Sequence, residues 1–305
     1  MRRLGLFVVS AILAGGMLPG AVAAVVSGAP ADAPLILQNV PWQDLRTNKN
    51  GICDAGKAGR FTHLLKNIPA GSTLTAPVNY LNEAAACGYK VFFHFSGTIS
   101  GGTVYPSRVA RFVNAVKGHP NLAGYLSVKE PSWVGISASE IRALYRAHKA
   151  ADPAHPVMAL FGDIPHFGDA ANPYTAGMAD IVMVDWYPVE TAYSGCSMSG
   201  TSYRSDGPKW YSTKVKPRVA ARTPGVPVYV MVQTHKYLAP RCHKKQLPTQ
   251  GRLERQVREA FVYAGAKGIA YHTWSNTSYA SDEARNPTMF NWMKSISDRV
   301  RAGTF

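Results

Sequence analysis

Most of the apolar residues of this chain fall in eight short segments, separated by longer and more polar stretches. The segments cover residues 35–40, 60–67, 90–95, 124–130, 156–161, 180–186, 227–232 and 268–273. Strands that are apolar on nearly every residue are typical of parallel sheets buried on both faces. Eight of them alternating with helices predict an α/β fold, a (β/α)8 TIM barrel forming one domain over residues 35–305. An open doubly wound sheet is the alternative, and the segment 60–67 also fits a helix.

Helical patterns fill several of the gaps between these segments. Apolar residues recur at helical spacing within residues 77–87, 106–116, 137–148, 253–264 and 290–300. Ser137 and Glu140 have the spacing of a capping box, which marks the start of a helix. Gly88 follows the first of these patterns and can end that helix. The regular alternation of both kinds of segment favours the barrel.

The N-terminus has the features of a secretory signal peptide. Two arginines precede an apolar stretch at residues 4–18, and the sequence A-V-A at 21–23 offers a cleavage site. We therefore predict a signal peptide over residues 1–23, a linker over residues 24–34 and a secreted protein. The apolar stretch is short and glycine-rich for a membrane span, and no second run is long enough to cross a bilayer.

Four cysteines are present, namely Cys53, Cys87, Cys196 and Cys242. An even number in a secreted chain predicts two disulfides, for which three pairings exist. We favour Cys53 with Cys87 and Cys196 with Cys242, because each pair closes a local loop. No C-x-x-C motif is present, so a zinc or redox role is not expected.

The formal net charge is +15. A basic secreted protein is attracted to anionic polymers such as acidic or cell-wall polysaccharides, although solubility alone explains the charge equally well. No nucleic-acid-binding motif is recognisable, so we expect no nucleic-acid partner. Motifs for zinc proteases, phosphate loops and dinucleotides are absent, and we expect no metal and no cofactor. We expect a monomer.

The segment at 124–131, with the sequence GYLSVKEP, is the centre of the functional interpretation. Period-two alternation places Gly124, Leu126, Val128 and Glu130 on one face of a strand. An acid at the last position of an apolar strand is costly to bury, so it is often placed there for chemistry. A solvent-exposed glutamate at a strand end is an equally good interpretation of these eight residues alone.

Active residues of such barrels lie at the carboxyl ends of the strands. The candidates at these ends are Trp42, His94, Glu130, Asp163, Asp185, Trp186, Tyr187, Gln233, His235, Trp274 and Asn276, with Asn39 and Asn67 beside them. Acids and amides bind sugar hydroxyls, and aromatic rings stack on sugar C–H faces. The mixture therefore predicts a carbohydrate site. The alternative for each tryptophan is that it caps the barrel core.

Several short motifs resemble TIM-barrel glycoside hydrolases. Residues 119–126 (HPNLAGYL) followed by KEP at 129–131 resemble the fourth-strand segment of that superfamily. The sequence DWYP at 185–188 and the segment 265–274 are similar to its later strands. The resemblance extends over most of the chain from residue 24 onward, although its motifs are short. It implies a (β/α)8 fold and makes Glu130 the general acid/base.

Two residues depart from the superfamily pattern. Lys129 stands where Asp or Asn precedes the glutamate, and Gln233 stands near the place of the strand-seven nucleophile of retaining members. Glycoside hydrolysis normally needs two carboxyl groups. We predict Asp185 as the second, with Asp163 as the alternative, and a strand-six acid opposite Glu130 leaves room for a water between them.

The sequence therefore predicts a secreted glycoside hydrolase that acts on a polysaccharide or cell-wall glycan. A barrel that binds carbohydrate or cell wall without cleaving it is the second hypothesis. The presence of Gln233 in place of the expected strand-seven nucleophile keeps that second hypothesis open.

Overall fold

The computed structural model describes residues 29–192, 201–236, 243–275 and 285–305. Eight parallel strands form a closed barrel. They are β1 (Leu35–Gln38), β2 (His63–Ile68), β3 (Lys90–Phe95), β4 (Leu122–Lys129), β5 (Val157–Phe161), β6 (Ile181–Trp186), β7 (Val228–Gln233) and β8 (Gly268–His272). The last strand pairs with the first, with Leu35 opposite Ile269, so the sheet has no open edge. The predicted (β/α)8 barrel is confirmed, and the open doubly wound sheet is wrong.

The strand side chains alternate between two apolar layers. The inner layer fills the barrel and contains Ile36, Leu65, Phe92, Leu126, Met158, Leu160, Ile181, Met183, Tyr229, Met231 and Ala270. The outer layer lies between strands and helices and includes Leu37, Leu64 and Val182. Burial on both faces explains why the strands are apolar at nearly every position. The chemistry-bearing side chains stand at the strand ends, above the inner layer.

The helices surround the barrel. They are α1 (Trp42–Arg46), α2 (Ile52–Lys57), α3 (Thr75–Ala86), α4 (Pro106–Val116), α5 (Pro131–Val134), α6 (Ala138–Ala151), α7 (Gly207–Trp210), α8 (Lys216–Arg222), α9 (Gln250–Glu259) and α10 (Pro287–Arg301). A π-helical turn at Tyr211–Val215 joins α7 to α8, and another at Ala260–Ala264 extends α9. The predicted capping box starts α6, where the Ser137 N–H donates to Glu140 Oε2 at 2.6 Å.

Shorter elements lie outside the barrel. Val189–Ala192, Thr201–Tyr203 and His243–Lys245 form a three-stranded antiparallel sheet. Ile99–Ser100 pairs with Thr103–Val104, and 3₁₀ turns cover Lys49–Gly51 and Ile164–His166. These elements extend the loops after the strands.

Helical structure over residues 207–222 is not among the predicted elements. Its two prolines, Pro208 and Pro217, suggest a loop, but both stand in first turns, where a missing N–H costs nothing. Tyr211, Val215 and Val219 recur every four residues and are all buried. That spacing of apolar residues is the sequence signal that indicates a helix in this segment.

A β-bulge at Ser127 changes the direction of the side chains at the end of β4. Leu126 pairs with Met158 and Val128 pairs with Ala159, so Ser127 is an extra residue. Leu126 belongs to the inner layer, whereas Val128 belongs to the outer one. The predicted common face for Leu126 and Val128 is therefore wrong.

The predicted disulfide between Cys53 and Cys87 is confirmed and connects α2 to the end of α3. Cys196 and Cys242 lie outside the described residues, as does the predicted signal peptide over 1–23. Within the described ranges, no helix combines the length and hydropathy needed to span a membrane.

Candidate active site

Glu130 follows β4 directly and turns the chain out of the barrel. Its backbone is left-handed, with φ 46° and ψ 58°, and Pro131 begins α5 after it. The Glu130 N–H still donates to the Leu160 carbonyl of β5 at 2.7 Å, and its carbonyl accepts from the Trp133 N–H at 3.0 Å. These two hydrogen bonds hold the backbone on both sides of the acid. The position from which the half-buried Glu130 side chain extends is therefore fixed at the barrel mouth.

Asp185 of β6 meets Glu130 across Gly162, which follows β5. A Cβ placed on Gly162 would lie 3.1 Å from Glu130 Oε1 and 3.1 Å from Asp185 Oδ1. The two oxygens are thus no farther apart than twice that distance, and the two acids interact electrostatically. Two carboxyl groups this close disfavour the ionisation of both at once. The predicted space for a water between them stays a prediction.

Several groups act on the protonation of Asp185. Burial raises its pKa well above the ordinary value, and the adjacent Glu130 charge and hydrogen bond raise it further. A hydrogen bond from Tyr187 and the charge of Lys129 act in the opposite direction. Asp185 is only 5% exposed, so burial is the largest of these effects. Burial and the neighbouring Glu130 therefore favour the protonated form of Asp185.

Two histidines at the mouth are neutral. Burial lowers the pKa of His94 to about 4, and the charge of Lys129 contributes to that lowering. His94 Nδ1 donates to the Leu126 carbonyl at 2.9 Å. Burial, His235 and Lys129 lower the pKa of His272 well below its usual range. Lys129 is thus the cation of this site, and its charge reaches both histidines as well as the acid pair.

Three rings pack together on the side of β7 and β8. The His235 and His272 centroids are 4.7 Å apart, and Tyr187 lies 4.8 Å from His235 and 5.4 Å from His272. His235 Nδ1 donates to the His272 carbonyl at 3.0 Å, and the His272 ring hydrogen-bonds to Gln38. These contacts fix Tyr187, which in turn bonds to the acid pair.

Trp133 is a site residue that is absent from the sequence-based candidates. It lies in α5 and is 74% exposed, yet its indole nitrogen is 3.0 Å from the Gly162 Cβ position that both acids approach. An indole exposed beside two carboxyl groups is a surface on which a sugar ring can stack. The available signal was its position three residues after Glu130, in a helix rather than at a strand end.

The other predicted tryptophans lie elsewhere. Trp274 is fully buried, donates to Asp44 at 2.8 Å and packs edge-on against Phe290, so it belongs to the core rather than to a sugar site. Trp186 packs against the outer layer beneath the Arg204 guanidinium. The alternative that a strand-end tryptophan caps the core holds for Trp274.

Three predicted candidates remain, namely Trp42, Asp163 and Asn276. Trp42 is 44% exposed and lines a separate cleft beside β1 and β2. Asp163 follows Gly162 in a left-handed conformation, with φ 51°. Asn276 lies outside the described residues.

Gln233 has a structural environment. It is fully buried, and its Oε1 accepts from the Val189 N–H at 2.9 Å. Its amide group donates to the carbonyls of Val189, His235 and Gln246 at 3.1, 3.2 and 2.7 Å. Both polar atoms of the side chain, Oε1 and Nε2, are thus hydrogen-bonded to backbone. Gln233, which stands near the position of the superfamily nucleophile, thus connects loops through these hydrogen bonds.

Metal ligands do not cluster in the described residues. Within the ranges given above, no group of three or more His, Cys, Asp or Glu side chains is arranged to hold an ion.

The fold was compared with known proteins. The sequence matches no protein-family model and no curated protein sequence. Among similar solved structures, a GH5_18 protein from Streptomyces cattleya in complex with Manβ1-4GlcNAc has a TM-score of 0.55 at 11% identity, over 88% of this chain and 80% of that one.

Two Bacteroides thetaiotaomicron structures are equally similar. A putative α-L-fucosidase has a TM-score of 0.55 at 10% identity, over 89% of this chain and 96% of that one. A GH99 endo-α-mannosidase has a TM-score of 0.55 at 12% identity, over 86% of this chain and 87% of that one. The chain has the barrel fold of glycoside hydrolases. At these identities the likeness establishes the fold alone.

Proposed function

We propose that this protein is a secreted glycoside hydrolase that acts on a polysaccharide or cell-wall glycan, with Glu130 as general acid/base. The observation that carries the proposal is the Glu130–Asp185 pair under the exposed Trp133, at the end of the barrel where such enzymes act. The sugar stacks on the indole, and its glycosidic oxygen faces the acids. The Cys53–Cys87 disulfide is consistent with secretion.

The acid pair supplies the proton that bond cleavage needs. Glu130 passes the shared proton to the leaving glycosidic oxygen while the C–O bond breaks. A water adds its oxygen to the anomeric carbon, and its released proton returns to the pair. Asp185 holds the proton between cycles, because its pKa is raised by burial and by the neighbouring acid.

The closeness of the two acids also supports the second hypothesis, a barrel that binds glycans without cleaving them. Retaining glycosidases separate their carboxyl groups by about 5–5.5 Å and inverting ones by about 6.5–9.5 Å. The separation of Glu130 Oε1 and Asp185 Oδ1 is at most twice 3.1 Å, which is below the inverting range. Gln233 does not supply a carboxylate nucleophile. Asp185 must therefore assist hydrolysis through Glu130, or the barrel is inactive.

Reducing-end release from a polysaccharide panel distinguishes the two hypotheses. We expect the wild type to cleave at least one glycan and Glu130→Gln to lose roughly a hundredfold or more in kcat, with KM nearly unchanged. Asp298→Asn is the matched control, because Asp298 forms an exposed ion pair with Arg60 far from the mouth. It should keep wild-type rates.

Two results would contradict the proposed mechanism. A wild type that binds a panel glycan, detected by calorimetry, but releases no reducing ends would support the non-catalytic barrel. Full activity in Glu130→Gln on a substrate that the wild type cleaves would remove Glu130 from the mechanism.

A further inference from the structure

A cleft of about 680 Å³ opens outside β1 and β2, between α1 and α3. Neither Glu130 nor Asp185 lines it. Trp42 and Asn67 stand where it meets the rim of the barrel, across from β5 and β6. Its volume is in the range of ligand-binding pockets, about 300–1,000 Å³.

Lys66 supplies the distinctive charge of this cleft. In the part of the chain that the structure describes, its ammonium forms no ion pair, and it lies 5.3 Å from the centre of the Tyr80 ring. Burial lowers the pKa of Lys66. The two other charged residues of the lining, Arg46 and Glu83, pair with each other at 3.4 Å. A partly buried cation without a counter-ion is stabilised by an anionic ligand.

The rest of the lining is suited to sugar. Trp42 is 44% exposed and has the Arg46 guanidinium 5.1 Å from its ring centre. The amide of Asn79 stands on α3, where it can bind hydroxyl groups as donor and as acceptor. Asn82 Oδ1 accepts from His119 Nε2 at 3.1 Å, so its amide nitrogen is the part that can bind a hydroxyl. The combination of an indole, amides and one unpaired cation fits a sugar that carries a negative charge.

We propose that this cleft is a second binding site, for an acidic saccharide whose uronate carboxylate pairs with Lys66 and whose ring stacks on Trp42. The proposal goes beyond the hydrolase assignment and holds whether or not the barrel cleaves its ligand. It also gives the net charge of +15 a specific partner class.

Calorimetric titration with a galacturonic acid oligomer tests the proposal, at about 0.15 M salt to screen diffuse attraction. The methyl-esterified oligomer, which carries no carboxylate charge, is the matched control ligand. We expect Lys66→Met to weaken binding of the acid form about tenfold or more, since it removes a charge-assisted contact, while Lys66→Arg retains most of it. Trp42→Ala should weaken both forms. Lys90→Met, an exposed lysine at the start of β3, is the control and should change affinity less than about twofold.

Three results would overturn the proposal: no binding by the wild type, equal binding of the esterified oligomer, or equal losses in Lys66→Met and Lys90→Met. Equal losses would mean that binding follows net charge rather than this cleft. The Glu130→Gln variant should bind the acid oligomer like the wild type. A failed hydrolase assignment would therefore leave this result unchanged.

Discussion

Replacing Asp185 by Asn should make the protein more stable at neutral pH while removing its activity. The folded state forces the Asp185 carboxyl into a buried place beside another acid, and its pKa is raised well above the ordinary 3.8. The amide has nearly the same shape, carries no charge at any pH, and can donate to Glu130. It therefore keeps the contact and removes the cost of ionisation.

The sign and size follow from proton linkage. The folded pKa of Asp185 is above its unfolded value, so the folded state binds the proton more tightly. The tighter binding of this proton contributes to the stability of the folded state. That contribution is complete below about pH 4 and is lost as the pH rises through the folded pKa. Each unit by which the folded pKa exceeds the unfolded pKa lowers the free energy of unfolding by about 1.4 kcal/mol at a pH above the folded pKa. We expect the free energy of unfolding of Asp185→Asn to exceed that of the wild type by at least about 1 kcal/mol at pH 7.

Urea unfolding between pH 4 and pH 8, with the Cys53–Cys87 disulfide intact, measures this difference. The gain of Asp185→Asn should shrink as the pH falls toward 4. Asp298→Asn loses only a surface ion pair with Arg60 and should be neutral or destabilised by less than about 1 kcal/mol. A variant destabilised at pH 7, or a difference independent of pH, would refute the protonated Asp185.

Three further predictions concern other residues. Trp133→Ala should weaken glycan binding at an unchanged melting temperature, whereas Trp274→Ala should cost about 3–5 kcal/mol of stability; the reverse pattern would exchange their roles. Replacing Cys53 and Cys87 by Ser should cost about 2–4 kcal/mol in urea unfolding, and an unchanged midpoint would contradict a stabilising bridge. Gln233→Glu should lower the melting temperature and create no activity, because a carboxylate would face three carbonyl oxygens; a gain in hydrolysis would show that position 233 faces the substrate.

The barrel was predictable because its signal is repeated along the chain. Each strand is buried on both faces, so each leaves an apolar run, and the helices between them leave a different period. The pairing of Cys53 with Cys87 was favoured because the loop is local. Helices α7 and α8 were missed because their prolines look like loop residues, although first turns accept proline.

The candidate site was predictable only in part, since side-chain direction depends on details that alternation does not encode. Glu130 and Asp185 were found because both end apolar strands. The bulge at Ser127 breaks the alternation along β4, and the charge of Lys129 acts on Asp185 and on both histidines at the mouth. Trp133 was missed because a residue in a short helix has no strand-end signature.

The central claim is that Glu130 donates the proton for hydrolysis of a glycosidic bond. Digestion of a cleavable glycan in heavy-oxygen water, read by mass spectrometry of the products, tests it most directly. We expect the wild type to place one heavy oxygen on the anomeric carbon of every new reducing end, and Glu130→Gln to form labelled product roughly a hundredfold or more slowly. Products without the label, or label at undiminished rate in Glu130→Gln, would contradict the claim.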